Sequence, residues 1–123
     1  MYALLSMAYQ SFENLEVWQL SRKFAVSIYR ELASCRDYHF KDQITSAACS
    51  VSNNIAEGPE RLHRSEYIQF LGYSKGSAGE ARNQLYLAED LGYIVPARAE
   101  QLRADARLIS GKIYALIRSL GNL

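Results

Sequence analysis

The sequence predicts an all-α protein, an antiparallel up-down-up-down four-helix bundle in one domain over residues 1–123. Three observations carry that prediction. Four segments place apolar side chains at helical spacing. No segment alternates with a period of two, as a half-buried strand would. The connections are short, which favours antiparallel neighbours, and they are punctuated by Gly58-Pro59, Gly92 and Pro96.

The first helix is expected from about Asn14, a side chain suited to accept from first-turn amides, to near Ser34. Val17, Ser21, Phe24, Ala25, Ile28 and Leu32 form its stripe, with Trp18 and Tyr29 at the margin. Glu16, Lys23 and Arg30 fall on the other side. A loop over residues 36–40 leads to the second helix, about Lys41 to Glu57, with Ile44, Ala47, Ala48, Val51 and Ile55 as its apolar positions. Gly58 is expected in a left-handed closing position, and Pro59 cannot continue the helix. Thr45, Ser46, Ser50, Ser52, Asn53 and Asn54 are mediocre helix formers. Tertiary packing must therefore hold this segment helical, and its small side chains imply neighbours on more than one side.

The third helix is expected from a cap at Ser65 to Leu91, closed by Gly92, with a stripe of Tyr67, Leu71, Ser74, Ala78, Ala81, Leu85 and Ala88. The fourth follows Pro96, a favoured first-turn residue, and ends before Gly121. Leu102, Ala106, Ile109, Ile113, Leu116, Ile117 and Leu120 occupy a single arc of it.

Composition excludes several classes. At 123 residues and 49% hydrophobic, the chain can bury a modest core without metal or disulfide. Its net charge of +1 gives no global pull toward nucleic acid or an anionic membrane. No apolar run approaches the roughly 20 residues needed to cross a bilayer. The opening Tyr2-Ala3-Leu4-Leu5 lacks a basic flank and is too short for a signal peptide. Residues 1–12 read as a loose N-terminal tail, and the protein as soluble and cytoplasmic. Along a helical hairpin, Cys35 and Cys49 fall ~10 Å apart, too far for a disulfide. Both are expected as small buried thiols in a reducing compartment.

Gly72, Gly76 and Gly79 sit inside the third helix, where each costs roughly 1 kcal/mol relative to alanine. They lie about 120–180° from the centre of the helix's apolar stripe, and glycine there lets another backbone approach. A contact between subunits is expected on this face, with Ile68 and Tyr86 adding apolar area beside it.

Across nearly its whole length, the chain resembles a known family. The resemblance is carried by Leu15-Glu16-Val17-Trp18-Gln19, Gln43, Ser50, Asn54-Ile55-Ala56-Glu57-Gly58, Arg61, Phe70-Leu71, Gly76-Ser77, Glu80, Leu85 and Leu91-Gly92-Tyr93. The family is that of the four-helix bundle proteins encoded in intervening sequences of bacterial 23S rRNA genes, also labelled S23 ribosomal protein. The chain departs from its pattern at Pro59-Glu60, where an aromatic-glycine pair is common, and at Gly79 and Ala81, where bulkier residues are usual. The resemblance implies a ring-shaped homo-oligomer of five subunits. It also implies kinship with the accessory proteins of diversity-generating retroelements, similar pentamers that bind nucleic acid and a reverse transcriptase. It supplies no settled biochemical role.

Gln43, Ser50, Asn54 and Glu57 line one flank of the second helix, and the family pattern adds Gly58 and Glu80. With no histidine or nucleophile beside them, they read as a structural polar network rather than a catalytic pocket. No metal site is expected. His39 and His63 flank opposite ends of the second helix, ~25 Å apart, and neither a Glu-x-x-His pair nor a Cys-x-x-Cys site occurs. Hydrolase, phosphate-loop and dinucleotide motifs are absent too, so no cofactor and no enzyme activity are expected.

Arg103, Arg107 and Arg118 are expected opposite the apolar arc of the fourth helix, with Arg61 and Arg64 in the loop after Gly58. These are the candidate contacts to RNA or DNA phosphates. Glu100 and Asp105 interrupt the patch, but a ring would repeat it around its axis and gain by multivalency. Three functions stand open at this point: a non-catalytic oligomer that binds nucleic acid, a protein-interaction scaffold without nucleic acid, and a cryptic enzyme.

Overall fold

A computed structural model of the protein describes residues 11–121, which form four long α-helices. They are α1 (Glu16–Glu31), α2 (Tyr38–Glu57), α3 (Arg64–Asp90) and α4 (Pro96–Gly121). Two short 3-10 turns, Phe12–Asn14 and Gly58–Glu60, precede α1 and follow α2. No strand occurs among the described residues. The tail expected over residues 1–12 lies outside them up to residue 10; Phe12, by contrast, opens the first turn and sets its ring edge-on to Trp18 at 5.1 Å.

Contacts between helices fix an antiparallel order around the bundle. Lys41 Nζ reaches the Ala33 carbonyl and Cys49 Sγ the Tyr29 hydroxyl, so α2 runs back along α1. Ser74 Oγ donates to the Val51 carbonyl at 2.6 Å and Ser77 Oγ to Ser50 Oγ at 2.9 Å, joining α3 to α2. Arg103 meets Glu89 across α3 and α4. Arg98–Glu31 and Lys112–Glu16 ion pairs join α4 to the two ends of α1.

The expected stripes form one core. Ile28, Leu32, Ile44, Ile55, Leu71, Leu85, Leu102, Ile109 and Ile113 are fully or almost fully buried. At roughly 1.5–3 kcal/mol per buried aliphatic side chain, these residues dominate the folding free energy. Ser21 and Thr45 fit inside because each hydroxyl donates to the carbonyl one turn back in its own helix. The polar segment of α2 is thus helical through burial of its apolar face, with Ser74 of α3 bonded into it.

Helix ends depart from expectation for local reasons. α2 begins at Tyr38, not Lys41, because Asp37 caps it, accepting from the Phe40 amide at 3.1 Å. Asn14 belongs to the 3-10 turn, and Leu15 precedes α1. α1 ends at Glu31 rather than near Ser34. His63, not Ser65, is the residue before α3, and α4 continues through Gly121. Gly92 has φ +76°, the left-handed turn that glycine allows.

Gly58 corrects a sequence expectation. Its backbone is right-handed, φ −53° and ψ −56°, and passes straight into the 3-10 turn. Glycine is required there by proximity: a Cβ would stand 2.6 Å from Cδ1 of the Tyr67 ring. The cysteines are free as expected, but both are half-buried rather than buried. Cys35 lies beyond the end of α1, and Cys49 sits at the outer margin of the α1–α2 seam beside Tyr29.

Candidate functional site

The family positions of α2 do not form one network. Asn54 Nδ2 donates to the Ser50 carbonyl at 2.8 Å and to Ser50 Oγ at 2.9 Å, and Ser77 completes a small half-buried cluster. Gln43 is exposed, two turns away, with its amide 3.1 Å from His39 Nε2. Glu57 is exposed and pairs loosely with Arg61 at 3.7 Å. Glu80 points outward from α3. The seven-residue steps from Gln43 to Ser50 and from Ser50 to Glu57 keep one flank of the helix but separate the side chains by about 10 Å along its axis. Ser77 was legible only as a family residue, since its partner lies on another helix.

The loop after Gly58 is tied down. Arg61 donates to Glu66 at 3.0 Å and lies 5.1 Å over the Phe70 ring. Its hydrogen bond holds the Glu66 carboxyl below the usual range. Arg64, expected in this loop, instead opens α3; it is exposed without an ion pair among the described residues, and Leu62 stands 93% exposed.

On α4 the arginines separate into different roles. Arg103 is buried, against expectation. It lies about 90° from the centre of the apolar arc, at its flank, where its side chain can run along the α3–α4 seam. There it donates to Glu100 at 2.8 Å and stacks over Tyr86 at 4.2 Å. Its Nη1 lies 2.9 Å from Glu89 Oε1 at an angle outside hydrogen-bond geometry, an electrostatic contact. Arg107 turns toward the same cluster, with Glu100 at 3.5 Å and the Tyr86 hydroxyl at 3.4 Å. Arg103, helped by Arg107, holds the Glu100 carboxyl below its usual range. Arg103 is therefore neutralised and removed from the set of phosphate contacts; Arg118 remains exposed, 5.9 Å over the Tyr114 ring.

The outward face of α3 is bare. A Cβ at Gly72, Gly76 or Gly79 would meet nothing within 4 Å. Tyr86 beside them is 48% exposed, with its ring partly covered by Arg103. Ile68 belongs to the core's edge instead, half-buried against it, so it adds little to that face.

No three His, Cys, Asp or Glu side chains gather as a metal site among the described residues. No helix among them is long and apolar enough to cross a membrane. The surface clefts are shallow; one of about 200 Å³ lies between α1 and α4 over Leu20, Phe24 and Ile109.

Fold and surface define a four-helix, all-α protein whose helix seams are joined by a few ion pairs and serine hydrogen bonds. Residues 13–115 match the family described as 23S rRNA-intervening sequence protein, and the chain belongs to that family. A crystal structure of a protein of unknown function from the S23 ribosomal protein family of Bacteroides thetaiotaomicron VPI-5482 shares the fold. Its TM-score is 0.77 at 24% identity, over 83% of this chain and 95% of the other. No curated protein matches.

Proposed function

We propose that this protein is a non-catalytic homo-oligomer, five copies in a ring, that works by binding rather than by chemistry. One observation carries the assembly: Gly72, Gly76 and Gly79 place bare backbone on the outward side of α3, where a side chain would meet nothing in the same molecule. Each glycine costs helix stability, and close approach of a second backbone compensates that cost. The number five comes from the family resemblance. A ring needs a heterologous contact, with two different faces meeting, and the α3 face is one of them.

The test is native mass by light scattering or native mass spectrometry. Wild type is expected at five chains. Gly76→Leu, which keeps α3 helical but fills the face, is expected to shift the population toward smaller species. A native mass of one chain removes the ring; an unchanged mass for the variant removes the glycine face from the contact.

A further inference from the structure

Charge is unevenly placed on this near-neutral protein. Both carboxylates of α1, and Glu100 of α4, are paired with cations. Glu16 pairs with Lys112 at 2.5 Å, Glu31 with Arg98 at 3.1 Å, and Glu100 with Arg103 and Arg107. Apart from Glu16, which is exposed but paired with Lys112, the charges that α1 leaves outward are basic. Arg22, Lys23 and Arg30 are exposed, and none forms an ion pair among the described residues; exposed Arg36 follows in the turn after α1.

Their spacing makes a strip. Arg22, Val26 and Arg30 recur every four residues, one above another on the helix surface. From Arg22 to Arg30 the strip rises about 12 Å at 1.5 Å per residue. Arg22 is planted on the half-buried Trp18 indole, 5.6 Å from its centroid, and Phe12 braces that ring. Stacking holds a guanidinium in place yet leaves its in-plane N–H groups free to donate. Three carboxylates lie at the margins: Glu13 in the cleft it lines with Trp18, Arg22 and Lys23, Asp105 across the α1–α4 cleft from Lys23, and Asp42 of α2 near Tyr29. Glu13 is occupied by the Ser11 hydroxyl.

We propose that the outward face of α1 is a phosphate-binding strip for a nucleic-acid strand, with Arg22, Lys23 and Arg30 as its contacts. The inference goes beyond the assembly reading and moves the phosphate contact away from α4. A row of cations on a rigid helix matches a polyanion of regular charge spacing. The exposed apolar groups on this face, Val26 and Tyr29, are few beside Arg22, Lys23 and Arg30 and offer little apolar area to a folded protein partner. Repetition around an oligomer multiplies a weak site by effective concentration, which suits a chain whose net charge is only +1.

The experiment measures fluorescence anisotropy of a labelled 20-nucleotide single-stranded RNA, the same sequence as DNA, and a labelled poly-glutamate of equal charge. Wild type is compared with Arg22→Gln/Lys23→Gln/Arg30→Gln and with the control Arg64→Gln/Arg118→Gln. Helicity and native mass are checked for each. Wild type is expected to bind RNA or DNA at about 50 mM salt, and the triple variant at least tenfold more weakly. The slope of log K against log salt should fall by about 2, three contacts at roughly 0.7 each, with the control changed less than threefold. Preference between the RNA and DNA arms identifies the strand. Four results overturn the proposal: no wild-type binding at low salt, a triple variant that binds like wild type, equal retention of poly-glutamate, or a triple variant of reduced native mass. The last would make the strip a contact between copies.

Discussion

Replacing Gly58 with alanine sets two effects against each other, and the geometry decides between them. Gly58 is helical, so alanine should gain up to about 1 kcal/mol from propensity and from a less flexible unfolded chain. Against this, the new Cβ falls 2.6 Å from Tyr67 Cδ1, 3.0 Å from Cε1 and 3.4 Å from the Tyr67 carbonyl oxygen. Carbon atoms pack best at about 3.5–4.0 Å, so the ring must retreat by about 1 Å. That ring is packed against the core, and burial already pushes its hydroxyl pKa up. Overpacking of this kind costs about 1–3 kcal/mol, which outweighs the propensity gain. The net expectation is a loss of about 1–2 kcal/mol, or a fall in Tm of about 4–8 °C for a domain this size. Thermal unfolding followed by circular dichroism measures it, at fixed protein concentration because assembly makes Tm depend on concentration. In a Tyr67→Ala background the clash has no partner, so Gly58→Ala should become neutral or stabilising, a coupling of about 2 kcal/mol. A rise in Tm for the single variant, or an equal loss in both backgrounds, refutes the reasoning.

Arg103→Ala removes two buried methylenes, worth about 0.8 kcal/mol each, and the stack on Tyr86, worth about 0.5–2 kcal/mol; it also leaves Glu89 unpaired in the seam. A loss of about 2–4 kcal/mol in urea unfolding is expected, with Arg103→Met costing about half because the stem is kept. A pH dependence centres on Asp37, whose carboxyl is lowered first by the Tyr93 hydroxyl at 2.6 Å and then by the Phe40 amide. A depressed folded pKa means that this stabilisation is present above the unfolded value near 3.9 and is lost as pH falls through the folded one. Asp37→Asn should therefore flatten the acid limb of the Tm–pH curve, and an unchanged limb would exclude the Asp37–Tyr93 bond as its source. Tyr93, raised by the same bond, acts in the opposite direction: its contribution is present below pH ~10 and lost as pH rises through the folded value.

The helices were legible because burial acts on periodicity. Val17 to Leu32, Ile44 to Ile55, Leu71 to Ala88 and Leu102 to Ile117 repeat at helical spacing, and all become core. The outward position of the α3 glycines follows from the same geometry. What one helix cannot specify is which neighbour its flank will meet. Arg103 reads as a surface cation until α3 supplies Tyr86 and Glu89. Gly58 reads as a left-handed cap until the Tyr67 ring closes over it. Gln43, Ser50 and Glu57 share one flank, but only Ser50 finds a serine on α3 opposite. Asp37 becomes a helix cap bonded to Tyr93, fifty-six residues away. Periodicity is a property of the chain and survives in one dimension. The partner of a flanking polar group depends on how the helices cross, so only tertiary structure decided which charges were neutralised and which, on α1, were left to face outward.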